Sequence, residues 1–123
     1  MKLIIAIIQP QQLPAVKRAL YKAQIYHITC TNILGTVPNQ EERQTFRGVE
    51  HEVTLFQKVR VEFPVNDAYV ETAIDTIMQG GQASGGAGKI FVTELHEAVT
   101  VRTGERGPAA IQEESPAIPK TQT

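Results

Sequence analysis

The chain has a single cysteine, Cys30, in 123 residues. It can form no internal disulfide, which fits a reducing compartment. Charge of one sign is not in excess either. Twelve Lys and Arg face thirteen Asp and Glu, for a formal net charge of -1. No large cationic field is available to attract nucleic acid or an anionic membrane. Long hydrophobic runs are absent as well. Apolar stretches such as residues 3–8 are far too short to cross a bilayer, so no direct membrane insertion is expected. Lys2 ahead of that stretch superficially suggests a signal peptide. Gln9 and Pro10 interrupt it, however, and no small-residue cleavage site follows, so it predicts a first strand in a cytoplasmic protein. Catalytic signatures are missing too. There is no His-x-x-x-His, Cys-x-x-Cys or nucleophile elbow, and His27, His51 and His96 are scattered. No enzyme is expected.

Hydrophobic residues make up 41%, enough for one modest core. Residues 3–8 are continuously apolar and β-branched, the mark of a strand covered on both faces. Pro10 suits the first turn of a helix, and Leu13, Val16, Leu20 and Ala23 recur at helical spacing. Residues 25–34 predict a second strand. Residues 35–54 are polar and charged, and a connection of that length is usually functional or disordered. Val59, Val61 and Phe63 alternate with Arg60 and Glu62, which predicts a third strand with one polar face. Asn66 or Asp67 can cap a helix whose apolar face holds Val70, Ala73, Ile74 and Ile77, and Gly80-Gly81 is expected to end it. A short strand resumes at residues 89–92, and residues 95–101 continue extended. Three of the seven prolines fall after Gly107, so residues 112–123 are expected to be a disordered tail. One domain over 1–111 is expected, of order β-α-β-β-α-β: an α+β ferredoxin-like sandwich. Two helices cover one face of a four-stranded sheet. A first strand apolar at every position then asks for a second cover, and another copy of the chain is the natural one.

Five of the nine glycines lie between positions 80 and 88, and Ser84-Gly85-Gly86-Ala87-Gly88-Lys89 leads into Ile90-Phe91-Val92. Glycines let backbone N–H groups approach an anion, and a lysine adds charge. The loop is not a Walker A motif, because Ala83 and Ile90 stand where Gly and Ser or Thr are required. The bland alternative is a flexible turn. Lys58, Arg60, Arg102 and Arg106 are further basic candidates, each alone compatible with a solvated charge. An RNA-recognition reading shares the β-α-β-β-α-β order. It needs aromatics on central strands and a basic face, and here the last strands offer only Phe91.

These residues resemble the PII nitrogen-regulatory signal proteins. The resemblance runs from position 1 to about 111. It is carried by Ala6-Ile7-Ile8-Gln9-Pro10, Arg47-Gly48-Val49-Glu50, residues 70–77, Gly88-Lys89-Ile90-Phe91-Val92 and Arg102-Thr103-Gly104-Glu105, in that order. It implies a homotrimer with nucleotide clefts between subunits, and a long T-loop, here 35–54, that contacts partner proteins. Carried over by position, Ile7, Thr29, Gly35 and Glu62 would lie near the nucleoside. Gly86, Gly88, Lys89 and Arg102 would lie near the phosphates, and Lys58 would pair with a 2-oxoglutarate carboxylate. Phe46, Arg47, Gly48 and Glu50 would meet a partner: a membrane transporter for ammonium or inorganic carbon, or a regulated enzyme. A structural trimer of the copper-tolerance type and a slow nucleotide hydrolase are the alternatives.

The chain departs from the family pattern at several points. The tyrosine uridylylated in some members falls on His51 and its neighbour on Phe46, so that modification has no hydroxyl at either position. The glutamine that helps hold magnesium with 2-oxoglutarate falls on Asn39, one methylene shorter, after Pro38. The first arginine of a phosphate-binding pair falls on Thr100, leaving Arg102, and Pro64 stands beside the adenine pocket. An atypical member is therefore expected, with ADP or AMP favoured and ATP possible, with magnesium left open, and with 2-oxoglutarate sensing weak or absent.

Overall fold

A computed structural model describes residues 1–37, 45–46, 49–50, 54–82 and 85–111. Strand β1, Lys2–Ile8, buries every second side chain, Ile4, Ala6 and Ile8, against the helices, while Leu3, Ile5 and Ile7 on its other face are half-buried. A 3-10 turn at Pro10–Gln12 leads into α1, Leu13–Lys22, which buries Val16 and Leu20. Then come β2, Thr29–Gly35, and the two-residue strands β3, Thr45–Phe46, and β4, Val49–Glu50, which pair with each other. Strand β5, Phe56–Val65, buries Val59, Val61, Phe63 and Val65. Helix α2, Val70–Gln82, follows a 3-10 turn at Asp67–Tyr69, and β6 spans Lys89–Glu94. The main sheet runs β2-β5-β1-β6, with every pairing antiparallel. The expected β-α-β-β-α-β sandwich is the fold.

The core lies between this sheet and the two helices. Ala73 and Ile77 of α2 join Val16 and Leu20 of α1 over Ile4, Ala6, Val61 and Phe63. Burying each of the larger side chains contributes about 1.5–3 kcal/mol, so β1 and β5 hold most of the apolar stabilisation. The sheet face away from the helices carries Leu3, Ile5 and Ile7 beside Phe91, which is 53% exposed.

Three boundaries differ from the sequence reading. The second strand starts at Thr29 rather than 25, because residues 23–25 close α1. Gln24 adopts a φ of 68°, its N–H bonds the Tyr21 carbonyl, and the Ile25 N–H reaches the Leu20 carbonyl at 2.9 Å. This is a Schellman cap built without glycine, and Ile25 is buried as its apolar contact. Gly80-Gly81 do not end α2, which continues to Gln82. A Cβ on Gly80 would fall 2.9 Å from the Val16 Cα, so the glycine serves the close crossing of α2 over α1. Residues 95–101 form no strand beyond the isolated bridge Val99↔Arg106. Nor do Asn66 and Asp67 cap with their side chains. Asn66 makes no side-chain cap bond, and Asp67 turns to the chain start. The expected tail at 112–123 lies outside the described residues.

Asp67 Oδ1 accepts hydrogen bonds from the Met1 amine at 2.9 Å and from Lys2 Nζ at 3.0 Å, and Lys2 also meets Glu94 at 3.1 Å. The bonds from the N-terminal amine and then from Lys2 hold the Asp67 carboxyl below its ordinary range. The bonds to Asp67 and then Glu94 hold Lys2 above its own. A depressed carboxylate stabilises the fold above the unfolded-state pKa of about 4, and that stabilisation is lost as pH falls through the lower folded value. The contribution is small at so exposed a site. Asp67→Asn should flatten the acid limb of the melting temperature against pH. An acid limb identical to wild type would refute the linkage.

Candidate functional site

The end of β1, the start of β6 and the root of the long loop converge on one cleft of about 650 Å³. Ile7, Lys58, Gly88 and Lys89 line it, four residues singled out from the sequence. Antiparallel pairing explains the convergence. Ile7 lies in register between Arg60 of β5 and Lys89 of β6, so an apolar residue near the end of β1 is flanked by cations. Gly88 adopts a φ of 132°, and a Cβ there would sit 2.6 Å from the Ile7 carbonyl oxygen. Only glycine lets the loop lie this close to β1. Lys89 is exposed, so its ammonium group is available to an anion.

The opposite wall comes from the loop root. Lys58 Nζ donates to the Thr36 carbonyl, and a Cβ on Gly35 would rest 3.3 Å from the Lys58 Cδ. The lysine stem therefore packs on Gly35 and its head ties down residue 36. Thr36, Val37, Phe56 and Gln57 complete this wall. Sequence reasoning assigned no role to Phe56 or Gln57. Their only signal was the Leu55-Phe56 apolar pair at the foot of β5.

Gly86 lies on the far side of the same loop, in a groove of about 370 Å³ between the loop and α2, lined also by Ile74 and Met78. Its N–H donates to the Gly81 carbonyl at 3.1 Å, so the loop folds back onto the end of α2.

Thr29, Glu62 and Arg102 are not in this cleft. Thr29 lies opposite Glu62 in the β2–β5 register, four residues along β5 from Lys58. At a strand rise of about 3.4 Å per residue, that is about 14 Å away. Arg60 Nε donates to Glu62 Oε1 at 2.7 Å, which orients the carboxylate on the helix-free face. Arg102 stands on an exposed turn closed by the Thr100 N–H to Glu105 carbonyl bond at 2.8 Å. One chain thus presents two separate groups: Ile7, Gly35, Lys58, Gly88 and Lys89 in one, Thr29 and Glu62 in the other.

Of the expected partner-binding residues, Phe46 belongs to β3 and Glu50 to β4, with Phe46↔Val49 and Thr45↔Glu50 in register. Arg47 and Gly48 lie outside the described residues, as do Asn39 and His51. Among the described residues no group of three or more His, Cys, Asp or Glu is placed to hold a metal ion. No described helix is long and apolar enough to cross a membrane.

The family model for nitrogen regulatory protein P-II matches residues 1–105. The nitrogen regulatory protein P-II of Rhodospirillum rubrum is 43% identical over 112 residues, covering 90% of this chain and all of the relative. The nitrogen regulatory protein GlnK1 of Methanosarcina mazei is 37% identical over 114 residues, covering 90% of this chain and 97% of the relative. Nitrogen regulatory protein P-II 1 of Escherichia coli is 38% identical over 112 residues, covering 90% of this chain and all of the relative. These matches set aside the copper-tolerance, hydrolase and RNA-binding readings.

Proposed function

The chain belongs to the nitrogen regulatory protein P-II family of non-catalytic, effector-binding signal proteins, and on that premise we propose that it is a homotrimeric adenine-nucleotide sensor that controls a partner through its long loop. The observation that carries this reading is the cleft itself. It joins an apolar wall, a glycine-rich turn, the Lys89 cation and the root of the 35–54 loop, through Thr36 and Lys58. A nucleotide needs these features: an apolar surface for the base, and N–H and ammonium donors for phosphate. Occupancy beside the loop root would bias the loop, which makes a ligand readable at a distance.

The second group of residues fits a cleft completed by another copy. Thr29, Glu62 and Arg102 of a neighbouring copy would close over the base and ribose and add the second phosphate-binding cation. The half-buried Leu3, Ile5 and Ile7 supply the apolar surface such a neighbour would cover. Thr100 stands where a further arginine would bind a terminal phosphate, so ADP or AMP should compete well against ATP. Asn39, short by one methylene, disfavours magnesium-linked 2-oxoglutarate binding. A membrane transporter for ammonium or inorganic carbon is the partner class, met in the cytoplasm by Phe46, Arg47, Gly48 and Glu50.

Calorimetric titration with AMP, ADP and ATP, each with and without magnesium, 2-oxoglutarate or bicarbonate, tests the ligand. Light scattering tests the assembly. The reading expects a mass three times that of the 13.5 kDa chain, with ADP or AMP binding at least as tightly as ATP. A monomer at micromolar concentration, or no binding of any adenine nucleotide, would defeat it.

A further inference from the structure

Gln12 is the one polar side chain buried among the described residues, with none of its surface exposed. A buried amide must find partners or lose stability. Its Oε1 accepts the Gln9 N–H at 2.7 Å, and its Nε2 donates to the Gly81 carbonyl at 3.1 Å. That carbonyl oxygen also accepts the Gly86 N–H at 3.1 Å. One side chain therefore links two pieces of backbone far apart in sequence. On one side is the turn of Gln9, Pro10 and Gln11, which lines the cleft. On the other is the carbonyl that anchors the glycine-rich loop. A Cβ on Gly81 would rest 3.4 Å from Gln12 Nε2, in van der Waals contact, so the amide lies directly against this end of α2. The two partners also fix which way the amide points, because an N–H requires the oxygen and a carbonyl requires the nitrogen.

We propose that Gln12 is the positioning residue of the glycine-rich loop. It holds the Gly81 anchor, and through it the Gly86 amide, in register with the cleft wall at residues 9–11, so that phosphate affinity depends on a buried amide no ligand touches. The phosphate part rests on the nucleotide reading given above; the loop-anchoring part does not. Without the Nε2 donor, the Gly81 carbonyl is held only by the loop it should be holding. Without the Oε1 acceptor, the Gln9 N–H loses its partner and the wall is free to shift.

Two variants separate this role from simple packing. Gln12→Leu fills similar volume and removes both bonds. Gln12→Glu keeps the shape and supplies a donor toward Gly81 only when protonated, and burial favours the protonated form. Lys89 is the one charged side chain lining the groove around position 12. Wild type measured at each pH controls for it and for titration of the ligand phosphate. ADP affinity and hydrogen exchange at the Gly86 amide are measured from pH 5 to 8, with circular dichroism confirming the fold. Gln12→Leu should bind ADP about 2- to 10-fold more weakly at every pH, the worth of a neutral hydrogen bond. Its Gly86 amide should exchange faster even without ligand. Gln12→Glu should match wild type at pH 5 and fall to the level of Gln12→Leu by pH 8. Should Gln12→Leu fail to fold, the pH profile of Gln12→Glu decides alone. If wild type binds no ADP, the nucleotide reading fails, while exchange at Gly86 still decides the anchoring. Wild-type Gly86 exchange in Gln12→Leu, or a Gln12→Glu to wild-type ratio flat across pH, would overturn the proposal.

Discussion

Replacing Gly88 with alanine is expected to destabilise the protein and disable the cleft together. The two effects have one cause. Gly88 sits at a φ of 132°, where an L side chain is strained, and the new Cβ would lie 2.6 Å from the Ile7 carbonyl oxygen. That contact is with backbone in the central part of the sheet, so neither partner can swing away. Relief comes only by lifting the loop from β1. Strained backbone of this kind costs about 1–3 kcal/mol. The lifted loop also carries Lys89 out of line, so nucleotide affinity should fall at least about tenfold. Gly86→Ala makes the comparison sharp. Gly86 has a φ of 77° but open space where its Cβ would go, so strain acts there without a clash. Denaturant melts of the two variants should rank Gly88→Ala as the more damaged. Equal stability of Gly88→Ala and wild type would contradict the close approach.

Lys89→Ala should do the reverse, removing affinity and leaving stability alone. The side chain is exposed, and among the described residues no ion pair engages it. Its loss removes a charge-assisted contact worth about 1.5–3 kcal/mol, a weakening of about 10- to 150-fold. ADP and ATP should both suffer, whereas adenosine, with no phosphate, should not. Unchanged ADP affinity in calorimetry would remove Lys89 from the site.

The pairing of these two residues was legible because glycine and lysine next to a strand leave a compositional mark. The fold was legible for a related reason. Alternation in β5 and the 3.6-residue spacing of Val16 and Leu20 follow directly from burying one face. Gly80 shows where such reasoning stops. A glycine pair predicts a helix end from local preference, but here the pressure comes from Val16 on another helix, which no local window contains. Gln24 shows the converse. Its left-handed conformation is imposed by the burial of Ile25, although local preference would ask for glycine. Gln12 carried no signal at all, because a glutamine at the start of a helix looks like any surface residue until Gly81 is placed beside it.

The site was legible only in part for a reason of geometry. Ile7, Lys58, Gly88 and Lys89 share one cleft because adjacent strand ends bring them together. Thr29 and Glu62 share a register position farther along β5, on the same helix-free face but outside that cleft. Sequence position alone does not say which residues singled out in one chain fall into one cleft.

The most direct test of the central claim is a backbone amide map by nuclear magnetic resonance during titration with ADP. The largest shifts should fall on Ile7, Gln9, Gly86, Gly88 and Lys89, with a second set at Thr29, Glu62 and Arg102 from the adjoining copy. Shifts confined to other surfaces, such as the groove between Lys17 and Tyr21 of α1 and Tyr26 beyond its end, or no shifts at saturating ADP, would contradict it.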